Sequence, residues 1–190
     1  MKVGPMKRRV VLLGLSVSAC ASPEPAYYTL AAVPGVARGG APASVELRRP
    51  GIAGYLDRPE IVRAGSAYRL RVATGERWGE PFGDLFGRIL AEDLNTRLPQ
   101  TSVFTAAGAI SAQSDAAVEL DVQRFDLDAN GTVVLLTQVA VSRTRRGPAT
   151  TRVIRLTQRP TSPATSDLVA AMSAALGALA DAIADMLRHA

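Results

Sequence analysis

The run Val118-Glu119-Leu120-Asp121-Val122-Gln123-Arg124-Phe125-Asp126-Leu127 decides the fold class. Val118, Leu120 and Val122 alternate with polar residues, the period of a strand with one buried and one wet face. After Val122 the apolar phase slips by one residue to Phe125 and Leu127, which predicts a β-bulge near Gln123-Arg124. Asn130-Gly131 follows, the strongest short hairpin signal a sequence carries. Thr132 to Ser142 returns as a long apolar strand, Gly147-Pro148 is expected to make the next turn, and Thr151 to Gln158 completes a three-stranded antiparallel meander. Arg143, Arg145 and Arg146 crowd the second hairpin tip, where solvation is the simplest fate and anionic headgroups or a partner the alternative.

Two helical patterns flank this meander. Pro81 is pre-set for a helix start, and Phe82, Leu85, Phe86, Ile89, Leu90, Leu94 and Leu98 then fall at helical spacing until Pro99 stops the run. Asp84, Arg88 and Glu92 are spaced for two i,i+4 ion pairs on the polar side. At the other end, Thr161 to Ser166 offers caps, and Leu168, Met172, Leu176, Leu179, Ile183 and Met186 step by four and three. Alanines on the flanks let such a helix lie close on a sheet. Asp181 and Asp185 argue against a membrane span, each costing about 3 kcal/mol at the bilayer centre. The expected fold class is α+β: an antiparallel or mixed sheet with two helices packed on one face.

Upstream, Val45-Glu46-Leu47-Arg48 alternates as a half-buried strand, and Val103-Phe104 reads as a short one. Tyr68, Leu70 and Val72 alternate with Arg69 and Arg71, after which Gly75 is expected to turn the chain. Ala21 to Ala43 is rich in proline, alanine and glycine and reads as a tether, interrupted by a short strand at Tyr27-Tyr28-Thr29-Leu30, with the tether proper before that strand and a loop after it.

The amino terminus reads as an export signal. Lys2, Lys7, Arg8 and Arg9 form a basic n-region, and the apolar run from Val10 to Val17 is too short to span a bilayer. The flanks of Arg8-Arg9 give twin-arginine export little support, so the general secretory route is expected. The run ends Val17-Ser18-Ala19-Cys20, which resembles the lipobox of bacterial lipoproteins, where the cysteine thiol takes a diacylglyceryl group. An ordinary secretory signal with an incidental cysteine is the alternative. Burying acyl chains is worth about 0.8 kcal/mol per methylene, and more than one chain makes anchoring stable. Cys20 is the single cysteine of the chain, so no internal disulfide can form. Ala21, in place of the aspartate that retains many such lipoproteins at the inner membrane, points to the outer membrane, facing the periplasm.

The expected organisation is therefore a signal peptide over residues 1–19, a lipidated tether with a short strand over 20–43, and one domain over 44–190. The whole chain carries 22 basic and 17 acidic residues, a net charge of +5. Four of the 22 basic residues precede Cys20, leaving 18 against 17 acids in the mature part. That near balance gives no support to a nucleic-acid partner.

Catalytic patterns are sparse. His189, the lone histidine, sits at the carboxyl end, which argues against a histidine-based triad or zinc site. Asp126-x-Asp128-x-Asn130-Gly131 matches the start of an EF-hand loop, but its twelfth position is Thr137, which cannot supply the bidentate acid. No phosphate loop, dinucleotide fingerprint or cofactor motif stands in the sequence, and the one expected covalent group is the lipid on Cys20.

Between Tyr55 and Phe82 the chain becomes specific. It reads Tyr55-Leu56-Asp57-Arg58-Pro59-Glu60-Ile61-Val62-Arg63 and later Arg77-Trp78-Gly79-Glu80-Pro81-Phe82. These runs resemble the ABC-type transport auxiliary lipoproteins, the PqiC-like family, whose usual pattern is close to Tyr-Leu-x-Arg-Pro-Gln-Ile-Val, then Arg-Trp-Ala-Glu-Pro-Leu. Glu60, Gly79 and Phe82 depart mildly. The lipobox, the Tyr27-Tyr28-Thr29-Leu30 start and the alanine-rich final helix are similar as well. The resemblance implies an accessory subunit rather than an enzyme, working with an ATPase, a permease and an MCE-domain periplasmic protein that move lipids between inner and outer membranes. It also implies that members self-assemble into rings.

Two other classes stay open: a structural envelope lipoprotein binding an unrelated outer-membrane or cell-wall partner, and an anchored hydrolase using unassigned acids. Tyr55, Arg58, Pro59, Ile61 and Arg63 are the candidate partner contacts, since tyrosine and arginine recur at interface hot spots. Arg77, Trp78, Glu80 and Pro81 are expected to be structural, with Trp78 plugging the sheet–helix junction and Arg77 with Glu80 as a paired lid.

Overall fold

The computed structural model describes residues 24–189 except 67, 107–112 and 145; the side chains of 64–66 and 146–147 also lie outside the description. The expected signal peptide, Cys20 and Arg145 therefore fall outside the described residues. The elements in chain order are β1 (Ala26–Tyr28), β2 (Ser44–Leu47), β3 (Gly51–Ile52), β4 (Glu60–Ser66), β5 (Arg69–Trp78), α1 (Phe82–Arg97), β6 (Ser102–Thr105), β7 (Ala116–Leu127), β8 (Val133–Arg143), β9 (Arg146–Gln158) and α2 (Thr165–His189).

The fold is α+β, a mixed sheet of nine strands with two helices. The expected meander is its spine: β7 pairs antiparallel with β8, and β8 with β9. The β7–β8 register shifts between Val122 and Arg124, the bulge that the phase slip predicts. Val118, Leu120 and Val122 on one side of that bulge, and Phe125 on the other, all reach one core.

Along the other edge of β7 the chain lies down in three parallel pieces. Leu47 of β2 pairs with Val118, Ile52 of β3 with Val122, and Arg63 of β4 with Leu127. β6 pairs parallel with β2, β5 antiparallel with β4, and β1 parallel with β5. Strand β3 has no counterpart in the sequence reading, because two residues carry no period.

Two expected turns are bulges instead. β8 ends at Arg143 and β9 begins at Arg146, so Gly147-Pro148 lies inside β9, where the register shifts between Val141 and Arg143. β9 pairs only with β8, and an edge strand tolerates a proline that cannot donate. Likewise β5 runs on through Gly75, whose φ of 79° places it in the left-handed region, and the β4–β5 register shifts there.

The helices pack on each other and on the inner face of the sheet. Phe82, Leu85, Phe86, Ile89, Leu90 and Leu94 of α1 meet Leu168, Met172, Leu176, Leu179 and Ile183 of α2. The expected Asp84–Arg88–Glu92 pairs are replaced: Arg88 pairs with Glu80, and Asp84 with Arg49 at 3.1 Å. Exposed i,i+4 pairs are worth only about 0.3–0.5 kcal/mol, too little to hold a side chain against other partners. α2 is long and apolar enough to cross a membrane, but its apolar residues fill this core.

The segment read as tether is in part a strap. Leu30 is buried, the Val33 amide donates to Asp93 Oδ1 at 2.8 Å, and the Arg38 amide donates to the Arg97 carbonyl at 2.7 Å. At Gly177 of α2 the strap lies so close that a Cβ there would sit 3.0 Å from Val33 Cβ. Beneath it, Arg97 donates from Nε to Asp181 Oδ1 at 3.0 Å and from Nη1 to the Val33 carbonyl at 2.9 Å. Arg38 adds ion pairs to Asp181 at 3.2 Å and Asp185 at 2.7 Å. The stretch after β1 is thus a loop packed on both helices.

Candidate partner-binding site

The nine residues from Tyr55 to Arg63 divide between a loop and a strand. Residues 53–59 arch out from the β7 edge where the bulge bends it, leaving at Ala53, whose amide donates to the Val122 carbonyl at 2.9 Å. Leu56 is buried and pins the loop to the core. Asp57, Arg58 and Pro59 at the crest are exposed. Arg58 Nε meets Glu60 Oε2 at 3.3 Å, an exposed pair that leaves most of the guanidinium open to a partner.

Tyr55 fixes the base of the loop. Its hydroxyl donates to Asp126 Oδ2 at 2.6 Å, and Arg124 Nε donates to Asp126 Oδ1 at 2.9 Å. Desolvation, with the Asp126 bond second, pushes the Tyr55 phenol well above its ordinary range, so it stays a protonated donor. Asp126 is 3% exposed and sits three residues past the bulged Gln123, on the face of β7 opposite Phe125. Sequence reasoning treated Asp126 only as a would-be calcium ligand and missed this role. Asp128 caps the hairpin instead, its Oδ1 accepting from the Asn130 and Thr132 amides, both at 2.9 Å. Among the described residues no group of three or more histidine, cysteine or acidic side chains is placed to hold a metal ion.

Tyr55→Phe should cost about 1–3 kcal/mol, because one oxygen of a buried carboxylate loses its donor. Chemical denaturation of the variant beside the parent chain reads this. An unchanged midpoint would show that Arg124 alone satisfies Asp126.

Ile61 is fully buried in the core, so it leaves the set of candidate contacts. Val62 beside it is buried as well, because β4 lies between β5 and β7 in the sheet. Arg63 reaches the start of α2, donating to the Pro163 carbonyl at 3.3 Å and to Thr165 Oγ1, with Glu76 at 3.6 Å. It lines one side of a groove of about 680 Å³ with Tyr28, Arg71, Glu76 and Thr165. Tyr55, Arg58 and Pro59 therefore stand together in the loop, while Arg63 belongs to a second surface beside α2.

The later run sits directly against the first. The Trp78 amide donates to the Pro59 carbonyl at 2.7 Å, and Glu60 pairs with Arg77 across β4 and β5. Trp78 is buried, its ring centroid 5.1 Å from that of Phe82, which in turn packs on Phe86 and Phe125. Arg77 is exposed, and Glu80 pairs with Arg88 of α1 rather than forming a lid with Arg77. The Pro81 carbonyl accepts from the Asp84 and Leu85 amides, both at 3.0 Å, opening α1.

A family model for the ABC-type transport auxiliary lipoprotein component matches residues 28–184, so nearly every described element lies within it. The chain belongs to that family. Similar folds occur in a crystal structure of an uncharacterized protein (TM-score 0.74, 17% identity, covering 87% of this chain and 99% of that one). Another is the protein XCC0632 from Xanthomonas campestris, of the DUF330 family (TM-score 0.67, 18% identity, 85% and 91% covered). A PelC dodecamer from Paraburkholderia phytofirmans aligns at a TM-score of 0.43 and 15% identity over 77% of this chain and 92% of that one, too distant to bear on assembly here. No curated protein matches the chain.

Proposed function

We infer that this chain is the accessory subunit of an ABC-type lipid-transport system, anchored in the outer membrane by lipid on Cys20 and docking an MCE-domain periplasmic protein. The observation that carries the reading is the family match across residues 28–184. The geometry is compatible: the Tyr55–Pro59 loop presents Asp57, Arg58 and Pro59 on a base held by Asp126, a rigid polar contact of the kind interfaces use. The role is docking, with no catalysis of its own.

The lipidated protein, purified from membranes that contain an MCE-domain protein, should carry that protein with it. Recovery without it, or with a cell-wall or unrelated outer-membrane partner in its place, sinks the transport reading. Cys20→Ser is expected to move the chain from the membrane to the soluble fraction; a variant that still sediments with membranes removes the anchor from the proposal.

A further inference from the structure

We propose that the β4–β5 ribbon is a second membrane contact, laying Tyr68 and Leu70 into the interface of an anionic phospholipid bilayer, with Arg69 and Arg71 on the headgroups. β7 ends at Leu127, opposite Arg63, so beyond that point β4 is paired on one side only, with β5. The ribbon therefore overhangs the end of the sheet. Tyr68 is fully exposed, Leu70 is 48% exposed and Val72 38%. Of the six exposed large apolar side chains among the described residues, these are three, and a fourth, Tyr27, lies on the adjoining β1. Such side chains are scattered on an ordinary soluble surface; here they are gathered on one projection.

Charge says what covers them. Strand alternation puts Leu70 and Val72 on one face of the ribbon and Arg69 and Arg71 on the other. Among the described residues neither arginine has an ion-pair partner. Tyrosine and leucine beside open arginines suit the boundary between acyl chains and acidic headgroups.

Chain reach places a bilayer there. β1 pairs parallel with β5, Ala26 opposite Glu76, so the amino end of β1 is the end nearer the ribbon's turn. Six residues separate Cys20 from Ala26, a reach of at most about 20 Å. Seven separate Glu76 from Arg69, about 23 Å of strand. A lipid on Cys20 and the tip of the ribbon can thus reach one plane. The proposal rests on the reading of Cys20 as the lipidated residue.

The test uses the full lipidated chain with Tyr68→Cys carrying nitrobenzoxadiazole, since acylation leaves no other thiol. Vesicles of phosphatidylethanolamine with phosphatidylglycerol are compared with phosphatidylcholine vesicles. With the acidic vesicles the emission should shift to the blue and rise. The same label at His189→Cys, on the far end of α2, should stay at its position in water. Arg69→Gln and Arg71→Gln should each weaken the acidic-vesicle response about fivefold at low salt. Flotation with the vesicles but a water-like emission at position 68 overturns the ribbon contact and leaves the anchor standing. Failure to float overturns both. A blue shift without vesicles that grows with protein concentration also overturns the proposal, because a second copy then covers the ribbon.

Discussion

Replacing Arg97 with methionine is expected to cost about 3–5 kcal/mol of folding stability. Arg97 is 2% exposed and pairs with Asp93, which is fully buried, at 3.3 Å. The substitution fills the volume but leaves the Asp93 carboxylate without its cation, and it releases the Val33 carbonyl and Asp181 from the same guanidinium. Equilibrium denaturation measures the loss. Burial already pushes the Asp93 carboxyl above the ordinary aspartate range, with the Val33 amide and Arg97 pulling it down. Removing Arg97 lets it rise further. A folded-state acid with a raised pKa binds more protons than the unfolded chain, so its contribution to stability falls as pH rises through that pKa. The Arg97→Met deficit should therefore shrink as pH is lowered from neutrality into mild acid. Adding Asp93→Asn should recover part of it at neutral pH. A deficit that is flat with pH would show that the strap contacts, not the buried charge, carry the loss.

Trp78→Ala is expected to cost about 3–5 kcal/mol, since it empties the junction where β5 meets α1 and strips the ring from Phe82. Arg58→Ala, next to Pro59 whose carbonyl accepts from the Trp78 amide, should leave the midpoint within about 0.5 kcal/mol of the parent, as exposed substitutions do. The same Arg58→Ala chain should recover less of the MCE-domain protein in pull-down. The pair of results would separate the two halves of the sequence signature: one holds the fold, the other meets a partner. Equal loss of stability in both variants would collapse that division.

Short-range patterns carried most of the architecture. Helix α1, the meander and the bulge at Gln123-Arg124 follow from apolar period alone, because each element's buried face is written in its own residues. What escaped depends on pairing between distant segments. The first family run reads as a contact surface, yet Ile61 is buried because β4 lies between β5 and β7, which the nine residues themselves do not state. Gly75 and Gly147-Pro148 carry turn chemistry, but bulges use the same residues, and only the partner strand decides between them. The buried network had a legible trace. Phe86, Leu90, Asp93 and Arg97 step by four, three and four, so an acid and a base continue the apolar stripe of α1. Charges in that phase announce partners, though not that the partners come from residues 33–38.

The parallel pairing of β1 with β5 also fixes how the domain meets mechanical load. A pull applied upstream of Ala26 runs along the strand, so the backbone bonds that tie Ala26, Tyr27 and Tyr28 to Glu76, Arg77 and Trp78 are strained in shear and must yield together. Peeling them singly would need a pull across the sheet. Behind them the strap crosses both helices and is locked by Arg97, so tension that overcomes β1 next meets the buried ion pairs before it can open the core.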